Sequence, residues 1–365
     1  MKILLLGEYS NLHWTLAQGL RKLGHDVTVA SGGDRFKSYK RDINLERKGY
    51  GLFDSIKYGF TLSKHLNTFK GYDIVQIINP SFLDIKAEKN LKVYQYLKKN
   101  NRKIFLGAFG TDYFSVRKAM DINSFRYSEY HVNKKPTNFV EANNQIESWI
   151  GTAKELLNKE IADTCDGIIS CLYEYYVSYL DDYREKLVYI PEPINLDETV
   201  FKQRGLNEKI RFFIGIQKLR SRLKGTDVLY KVLKEVNKKY PKESEVIKVE
   251  SVPYSEYVTA MSESDIMLDQ LYSYTPAMNA FAAMAQGLVI VGGGEPESYE
   301  ILNETELKPI INVIPDEKDI FNKLEGIIIN RNKIPDLSLQ SRQFVEKHHD
   351  YVKIAQQYVD FWRSK

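Results

Sequence analysis

The sequence predicts an α/β protein with two doubly wound, parallel-sheet domains that face each other across a cleft. Its 365 residues exceed the roughly 250–300 at which a single hydrophobic core stops growing. Short apolar runs alternate with stretches of helical periodicity in both halves, which is the pattern of βαβ units. Pro191 and Pro193 lie between the two series, and such a pair is excluded from a central strand. Each half is therefore expected to be Rossmann-like.

Composition limits the classes of function. The chain is 43% hydrophobic and 27% charged, which is ordinary for a soluble protein, and its net charge is +4. That charge is too small to indicate nucleic acid as the main partner. Cys165 and Cys171 lie in one apolar stretch and predict no disulfide framework, so a cytoplasmic location is expected. No run approaches the ~20 apolar residues of a membrane-spanning helix.

The first half begins with an apolar strand at 2–6, a turn at Gly7, and a helix in which Leu12, Leu16 and Leu20 recur at helical spacing. Further strands are predicted at 27–30, 72–78, 103–106 and 167–170, with helices at 88–99 and 152–163. Residues 113–150 are aromatic and polar, and we expect them to form helices and loops that decorate this domain.

A second series of elements follows the prolines. Strands are predicted at 211–216, 246–249, 265–268 and 288–291, with helices at 225–239, 254–263 and 277–286. The predicted division is an N-terminal domain at 1–187, a hinge at 188–197, a C-terminal domain at 198–339 and a final helical segment at 340–365. That last segment is expected to return to the N-terminal domain.

In open parallel sheets, ligands bind beyond the carboxyl ends of the strands, and the loop at 217–227 follows such an end. Gln217 opens it, and Lys218, Arg220 and Lys224 are among its cations. Guanidinium groups bind phosphate bidentately and lysine supplies a point charge. The loop therefore predicts a diphosphate site, with a solvated basic loop as the alternative.

A second candidate is the segment at 269–279, which opens a helix. Thr275 is a candidate cap and Pro276 suits the first helical position. The free N–H groups at Ala277, Met278 and Asn279 would attract phosphate. The alternative is a helix that only packs in the core, and both can hold at once.

The remaining candidates follow other strands. After the glycines at 292–294, Glu295 and Glu297 are placed to accept hydrogen bonds from sugar hydroxyls, the alternative being a mobile turn. In the first half, His13 and Asp112 are candidates to orient or deprotonate an acceptor hydroxyl. A structural hydrogen-bonding role is the alternative for His13, whereas the glycine-bounded loop of Asp112 favours the functional role. The neighbouring polar residues predicted to contact the acceptor are Glu8, Asn11 and Thr111.

The order of these motifs resembles the GT-B glycosyltransferases, and specifically family 4. The proline segment at 190–195 is similar to that family's interdomain Ile-Pro-Asn-Pro-Ile-Asp. Arg220 and the Lys-Gly at 224–225 resemble its first donor-domain loop, and Tyr254 ends a Val-Pro-Tyr that resembles its base-binding strand end. The helix and strand at 281–291, followed by Gly-Gly-Glu-Pro-Glu at 293–297, complete the series. The resemblance covers nearly the whole chain.

The chain departs from the family at two positions. The family has two glutamates, eight positions apart, that touch donor sugar and ribose, and here those positions are Tyr274 and Ala282. Tyr274 is accordingly placed among the donor-binding residues. Asn279, Glu295 and Glu297 are expected to supply the replacement contacts.

The resemblance implies transfer of a hexosyl group from a UDP-, GDP- or ADP-sugar to a glycan or lipid-linked acceptor, with retention, in surface polysaccharide or glycoconjugate synthesis. Lys224 and Arg220 would neutralise the leaving diphosphate. His13 and Asp112 would lie across the cleft near the acceptor. The nucleotide sugar is a co-substrate, and neither a cofactor nor a metal is expected.

Three alternatives remain open. A UDP-sugar 2-epimerase shares the fold but fits the Lys-Gly loop less well. A nicotinamide-dependent dehydrogenase requires Gly-x-Gly-x-x-Gly after the first strand, and the sequence from Gly7 lacks the later glycines. A non-catalytic nucleotide- or glycan-binding protein would explain the two missing glutamates. Separately, six cations at 35–48 and the aromatic, lysine-containing stretch at 53–69 suggest peripheral contact with the inner face of a membrane.

Overall fold

The structure is a computed structural model that describes the backbone of residues 1–365 and every side chain except those of Phe36, Tyr254 and Ser255. It contains two parallel sheets, one in each half of the chain. The predicted fold class is therefore confirmed. No helix in the described part of the chain is long and apolar enough to cross a bilayer.

The N-terminal half contains nine strands. They are β1 (Lys2–Leu6), β2 (Asp26–Ser31), β3 (Ile43–Asn44), β4 (Ile74–Ile77), β5 (Lys103–Ala108), β6 (His131–Val132), β7 (Lys135–Pro136), β8 (Gly167–Ser170) and β9 (Leu187–Tyr189). Seven of them form a parallel sheet in the order β3-β2-β1-β4-β5-β8-β9, and β6 and β7 form a separate antiparallel pair. Residues 3–6 of β1 are fully buried, as expected of a strand covered on both faces.

Seven helices belong to this half. They are α1 (Leu12–Lys22), α2 (Leu52–Leu66), α3 (Ala87–Asn100), α4 (Tyr113–Met120), α5 (Val140–Trp149), α6 (Ala153–Thr164) and α7 (Tyr173–Tyr183). Because β1 pairs with β2 on one side and β4 on the other, the connections leave it in opposite directions. The loops after β1 and β4 therefore open a crevice at the carboxyl edge of the sheet.

The C-terminal half repeats the architecture on a smaller scale. Its strands are β10 (Ile210–Ile216), β11 (Ser244–Glu250), β12 (Ile266–Leu268), β13 (Val289–Gly292) and β14 (Ile311–Asn312), in the parallel order β11-β10-β12-β13-β14. Its helices are α8 (Ser221–Lys224), α9 (Thr226–Lys239), α10 (Tyr254–Ser262), α11 (Met278–Ala285), α12 (Pro296–Glu300), α13 (Glu317–Ile329) and α14 (Ile334–His348). Since β10 and β12 are neighbours, the loops that follow them lie side by side.

The last helix, α15 (Tyr351–Ser364), packs in the N-terminal domain. Trp362 is fully buried there, 6.2 Å from the ring of Phe105, and its indole N–H donates to Gln76. Gly19 of α1 permits this packing, because a Cβ there would lie 2.3 Å from the carbonyl oxygen of Tyr351.

The domain boundaries differ from the predicted ones in two places. Residues 188–189 pair within β9 of the N-terminal sheet, although the hinge was placed from 188 onward. Phe344 and Val345 of α14 are buried in the C-terminal core, so the chain crosses back after residue 348 and not at 340. At the crossing, Ile194 donates its N–H to the carbonyl of His349 at 2.7 Å.

Trp362→Ala should lower the free energy of unfolding of the N-terminal domain by about 3–5 kcal/mol, because it leaves a cavity in a fully buried site. Chemical denaturation followed by far-UV circular dichroism measures this, with exposed Arg363→Ala as the matched control on the same helix. Equal unfolding midpoints for the two variants would contradict the packing of α15 on this domain.

Candidate functional site

The carboxyl edges of both sheets face one cleft, and a pocket lies at its centre. The N-terminal domain contributes Ser10, Lys37 and Tyr39. The C-terminal domain contributes most of the wall, namely Gln217, Arg220, Lys224, Thr226, Asp269, Ala277, Met278 and Asn279 beside the strand ends of β10, β11 and β12. We call this the cleft pocket. Residues from the first two sequence candidates therefore meet in one place.

The basic loop after β10 brings Lys224 into the cleft pocket. Gly225 follows with a φ of +68°, and a Cβ there would lie 2.5 Å from Leu271 Cβ, so glycine is needed for the turn. Burial lowers the pKa of Lys224 to about 8, an effect that the Asp269 carboxylate opposes. Lys224 is therefore a partly desolvated cation whose charge is sensitive to pH.

The other residues of this loop differ in position. Arg220 is exposed and lines the cleft pocket, and the half-buried Gln217 also lines it. Lys218 is also exposed, but it is absent from the pocket wall, and its backbone N–H donates to Ser251 Oγ at 3.4 Å. The predicted contact of Lys218 with the ligand is therefore not supported by its position.

Helix α11 directs its N-terminus into the cleft pocket. Its N-cap is Ala277, and no side chain caps it, so N–H groups of the first turn face the cleft. Thr275 was expected to be the cap, but its hydroxyl accepts the N–H of Tyr173 instead. Ala277, Met278 and Asn279 all line the pocket, as predicted. An uncapped helix N-terminus beside a half-buried lysine favours an anion.

Asp269 is a pocket residue that opens the second candidate segment but was given no predicted role. It directly follows β12, is 9% exposed, and its Oδ2 has no hydrogen-bond partner among the described residues. Burial raises its pKa, whereas Lys224 and a backbone contact from Ala277 lower it. Its position immediately after a strand was the signal that could have identified it.

Glu8 and His13 are structural in this arrangement. The Glu8 carboxylate accepts the backbone N–H groups of His13 at 3.2 Å and Trp14 at 2.9 Å, which caps α1. Burial raises the pKa of Glu8 to about 8. The His13 ring is fully buried, with Nδ1 2.8 Å from the Gly7 carbonyl, and burial lowers its pKa to about 3. Neither residue lines the cleft pocket, whereas Asn11 lines the adjoining part of the cleft.

Asp112 is also a helix cap. Its carboxylate accepts the N–H of Ser115 at 2.8 Å and the hydroxyl of Tyr179 at 2.5 Å. The residue is fully buried, and burial raises its pKa to about 6. The predicted roles of His13 and Asp112 at the acceptor are therefore corrected, because both side chains are enclosed by the N-terminal domain. Thr111, which immediately precedes Asp112, lines a small cavity between the domains.

Three of the four remaining donor-side candidates are brought together, but outside the cleft pocket. Tyr274, Glu295 and Glu297 all contact Arg126 of the N-terminal domain. Glu295 is 5% exposed and also accepts the hydroxyl of Tyr127 at 2.6 Å. In this conformation the three side chains are occupied by the N-terminal domain, so the prediction that they are available to a ligand does not hold. The side chain of Tyr254, another predicted donor contact, lies outside the described residues.

Comparison with known proteins agrees with this geometry. Residues 208–360 match the model of a family described as glycosyl transferase-like. No curated protein sequence matches the chain significantly. The sucrose-phosphate synthase of Thermosynechococcus elongatus is 14% identical, with a TM-score of 0.63 over 100% of this chain and 99% of that one. HepE of Anabaena, solved with UDP and glucose, is 13% identical, with a TM-score of 0.63 over 100% of both chains.

A third similar structure is WaaG, a glycosyltransferase involved in lipopolysaccharide biosynthesis, at 11% identity and a TM-score of 0.57 over 99% of both chains. The chain has the GT-B fold. Residues 208–360 match the glycosyl transferase-like family model, and most of the wall of the cleft pocket belongs to the C-terminal domain, which lies within that match. The predicted family and enzyme class are confirmed at the level of the fold and of this domain.

No group of three or more His, Cys, Asp or Glu side chains in the described part of the chain is arranged to hold a metal ion. The charged side chains that line the cleft pocket are Lys37 of the N-terminal domain and Arg220, Lys224 and Asp269 of the C-terminal domain. The groups of the pocket that can bind an anion are the cations Lys37, Arg220 and Lys224 and the backbone of α11.

Asp112→Ala should lower the free energy of unfolding of the N-terminal domain by about 2–4 kcal/mol, because it removes a helix cap and leaves the buried Tyr179 hydroxyl without its acceptor. Chemical denaturation measures this. Thr152→Ala, which removes the side-chain cap of α6, is the control and should cost about 1 kcal/mol. An unfolding curve of Asp112→Ala identical to the wild-type curve would contradict the capping role.

Proposed function

We propose that the chain transfers a hexosyl group from a nucleoside diphosphate sugar, with UDP as the first candidate nucleotide, to a glycan or lipid-linked glycan. The observation that carries this proposal is the pairing of Lys224 with the uncapped N-terminus of α11 in one pocket. Both are anion-binding features, and together they suit the two phosphates of such a donor. UDP is placed before GDP and ADP because HepE was solved with UDP and glucose.

The proposed chemistry is electrostatic. The bond between the anomeric carbon and the diphosphate oxygen breaks, and an acceptor hydroxyl oxygen forms a new bond to that carbon. Negative charge grows on the departing diphosphate, where Lys224, Arg220 and the N–H groups of α11 stabilise it. His13 and Asp112 are enclosed in the N-terminal domain, so we propose that an oxygen of the departing diphosphate takes the acceptor proton. We expect retention, and a role in surface polysaccharide or glycoconjugate synthesis.

Wild-type protein should bind UDP, and Lys224→Ala should weaken binding by at least about tenfold, because it removes a charge-assisted contact to the diphosphate. Binding needs protonated Lys224, whose pKa is about 8. The wild-type affinity should therefore be fully present well below pH 8 and decline as the pH rises through about 8. Isothermal titration from about pH 7 to about pH 9.5 measures both effects.

Lys218→Ala is the matched control, since Lys218 lies in the same loop but outside the wall of the cleft pocket. It should retain wild-type affinity and the wild-type pH profile. UDP, GDP, ADP and CMP should be compared to identify the base. Binding of none of these nucleotides to the wild type would contradict the proposal.

A second candidate, a nucleotide-binding protein without turnover, is favoured by Tyr274 and Ala282 at the two positions where family 4 has glutamates. The two candidates agree on nucleotide binding and differ on catalysis. Release of UDP from a UDP-hexose in the presence of a glycan acceptor would support the transferase, whereas binding without release would support the second candidate.

For the location of the enzyme, we propose the cytoplasmic face of a membrane, with α2 as the contact. Its large apolar side chains at Leu52, Phe53, Ile56 and Phe60 are 50–86% exposed. Helical spacing places the exposed Lys57 and Lys64 beside Phe53 and Phe60. An apolar stripe flanked by lysines fits an anionic bilayer surface, where each lysine adds roughly 1 kcal/mol.

The position of α2 also suits a lipid-linked acceptor. Just before the helix, Arg47 and Tyr50 bond to Asp84, each at 2.8 Å. Asp84 lies in the loop after β4, at the edge of the sheet that faces the cleft. Buried Tyr58 and Leu62 fix the opposite side of α2 to the domain. A membrane bound by the exposed side of α2 would therefore lie near the acceptor side of the cleft.

The protein should co-float with anionic liposomes at low salt, and Phe53→Ser combined with Phe60→Ser should abolish co-flotation, because the apolar anchor is removed. Leu156→Ser is the control, since Leu156 is 69% exposed on another helix. Absence of wild-type flotation would contradict the membrane contact. Loss of a dimer in the double variant, measured by sedimentation, would instead assign the apolar face to a second copy of the chain.

A further inference from the structure

We propose that Arg126 controls access of the donor sugar to its end of the site, by pairing across the cleft with the carboxylates that the sugar needs. The inference rests on the proposed function. The inference concerns the hexose of the donor, whereas the proposed function places the diphosphate in the cleft pocket. Arg126 belongs to the segment between α4 and β6, whereas its partners belong to the C-terminal domain.

Arg126 binds both carboxylates of the loop that follows β13. Its Nη2 lies 2.7 Å from Glu295 Oε2 and 2.9 Å from Glu297 Oε2, and its Nη1 also bonds to Glu297. The second oxygen of Glu295 accepts the hydroxyl of Tyr127 at 2.6 Å. Both oxygens of this buried carboxylate are thus satisfied by the N-terminal domain, and neither is free for a sugar hydroxyl.

Arg126 also covers Tyr274, at the position where family 4 has a glutamate. Its backbone N–H donates to the Tyr274 hydroxyl at 2.6 Å, and its guanidinium carbon lies 4.8 Å from the centre of that ring. Tyr173 stacks on Tyr274, with ring centres 5.8 Å apart and planes 16° apart. One arginine therefore contacts Tyr274, Glu295 and Glu297, three of the donor-side residues singled out by the sequence.

The two loops held by Arg126 are joined to each other. Glu295 donates its N–H to the carbonyl of Tyr274 at 3.2 Å. Gly293 packs so closely on Ser273 that a Cβ there would lie 2.2 Å from the Ser273 carbonyl oxygen. Displacement of one loop would therefore move the other. We call the contacts of Arg126 with Tyr274, Glu295 and Glu297 the cross-cleft latch.

A second contact from the N-terminal domain holds the loop at 273–275. Glu174, at the start of α7, accepts the hydroxyl of Ser273 at 2.7 Å and the N–H groups of Tyr274 and Thr275. All three bonds go to Glu174 Oε1, whereas Oε2 has no hydrogen-bond partner among the described residues. Glu174 therefore fixes the position of the loop at 273–275, while Arg126 occupies the carboxylates of the loop at 295–297.

The physical consequence is a competition that depends on the sugar. Sugar hydroxyls donate hydrogen bonds to carboxylates, so a hexose that binds Glu295 or Glu297 must displace at least one contact of Arg126. UDP has no hexose, so its binding does not compete with Arg126 for these carboxylates. The half-exposed Arg126 side chain, 52% exposed, forms a screened pair, so the competition is modest.

Arg126→Ala should tighten binding of UDP-glucose by about fivefold and leave the affinity for UDP unchanged, measured by isothermal titration. Arg126→Lys keeps a charge without the bidentate fork and should give an intermediate ratio. Arg117→Ala is the matched control, because Arg117 is similarly exposed and pairs with Asp182 inside the N-terminal domain. It should change neither affinity.

Hydrogen exchange without ligand gives a readout that is independent of nucleotide binding. In Arg126→Ala, amides at 273–275 and 295–297 should exchange faster than in Arg117→Ala, because the side-chain contacts of the cross-cleft latch are removed. An unchanged ratio of UDP-glucose to UDP affinity, or a parallel fall in both, would overturn the inference. Failure of the wild type to bind UDP would contradict the proposed function. Independently of that result, unchanged hydrogen exchange in Arg126→Ala would contradict the cross-cleft latch.

Discussion

The return of α15 to the N-terminal domain is the constraint on which the arrangement of the cleft depends. The chain crosses between domains twice, at the proline segment and before α15, and Ile194 and His349 hydrogen-bond where the two crossings meet. Trp362 then anchors the second crossing in the core of the opposite domain. Because both crossings lie together on one side, the carboxyl edges of the two sheets are held face to face. A pocket with walls from both domains follows from this.

Within that pocket, the balance of charge decides what can bind. Lys224 is desolvated enough for its pKa to fall to about 8, and Asp269 beside it opposes the fall. The uncapped N-terminus of α11 adds partial positive charge. At the sugar end the sign reverses, because Glu295 and Glu297 stand there, and Arg126 of the opposite domain neutralises them. The site is thus cationic where a diphosphate is proposed and acidic where a sugar is proposed.

Local patterns predicted the fold well, whereas contacts between residues distant in sequence determine whether a predicted site residue lines the pocket or is buried in a domain. Alternation of apolar runs with helical periodicity identified the two sheets, and the order of motifs placed Lys224, Ala277 and Asn279 in one pocket. Asp112 and Glu8 were misassigned because a carboxylate after a strand can either line a site or cap the next helix. Burial, which separates the two roles, depends on distant residues such as Tyr179. Arg126 was missed because residues 113–150 carry no clear periodicity and its partners are about 170 positions away.

A crystal structure of the protein with UDP tests the central claim most directly, since the claim concerns where the diphosphate lies. The account predicts phosphate oxygens within hydrogen-bonding distance of Lys224 Nζ and of the first backbone N–H groups of α11. A diphosphate bound elsewhere, or one in the cleft that contacts neither group, would contradict it.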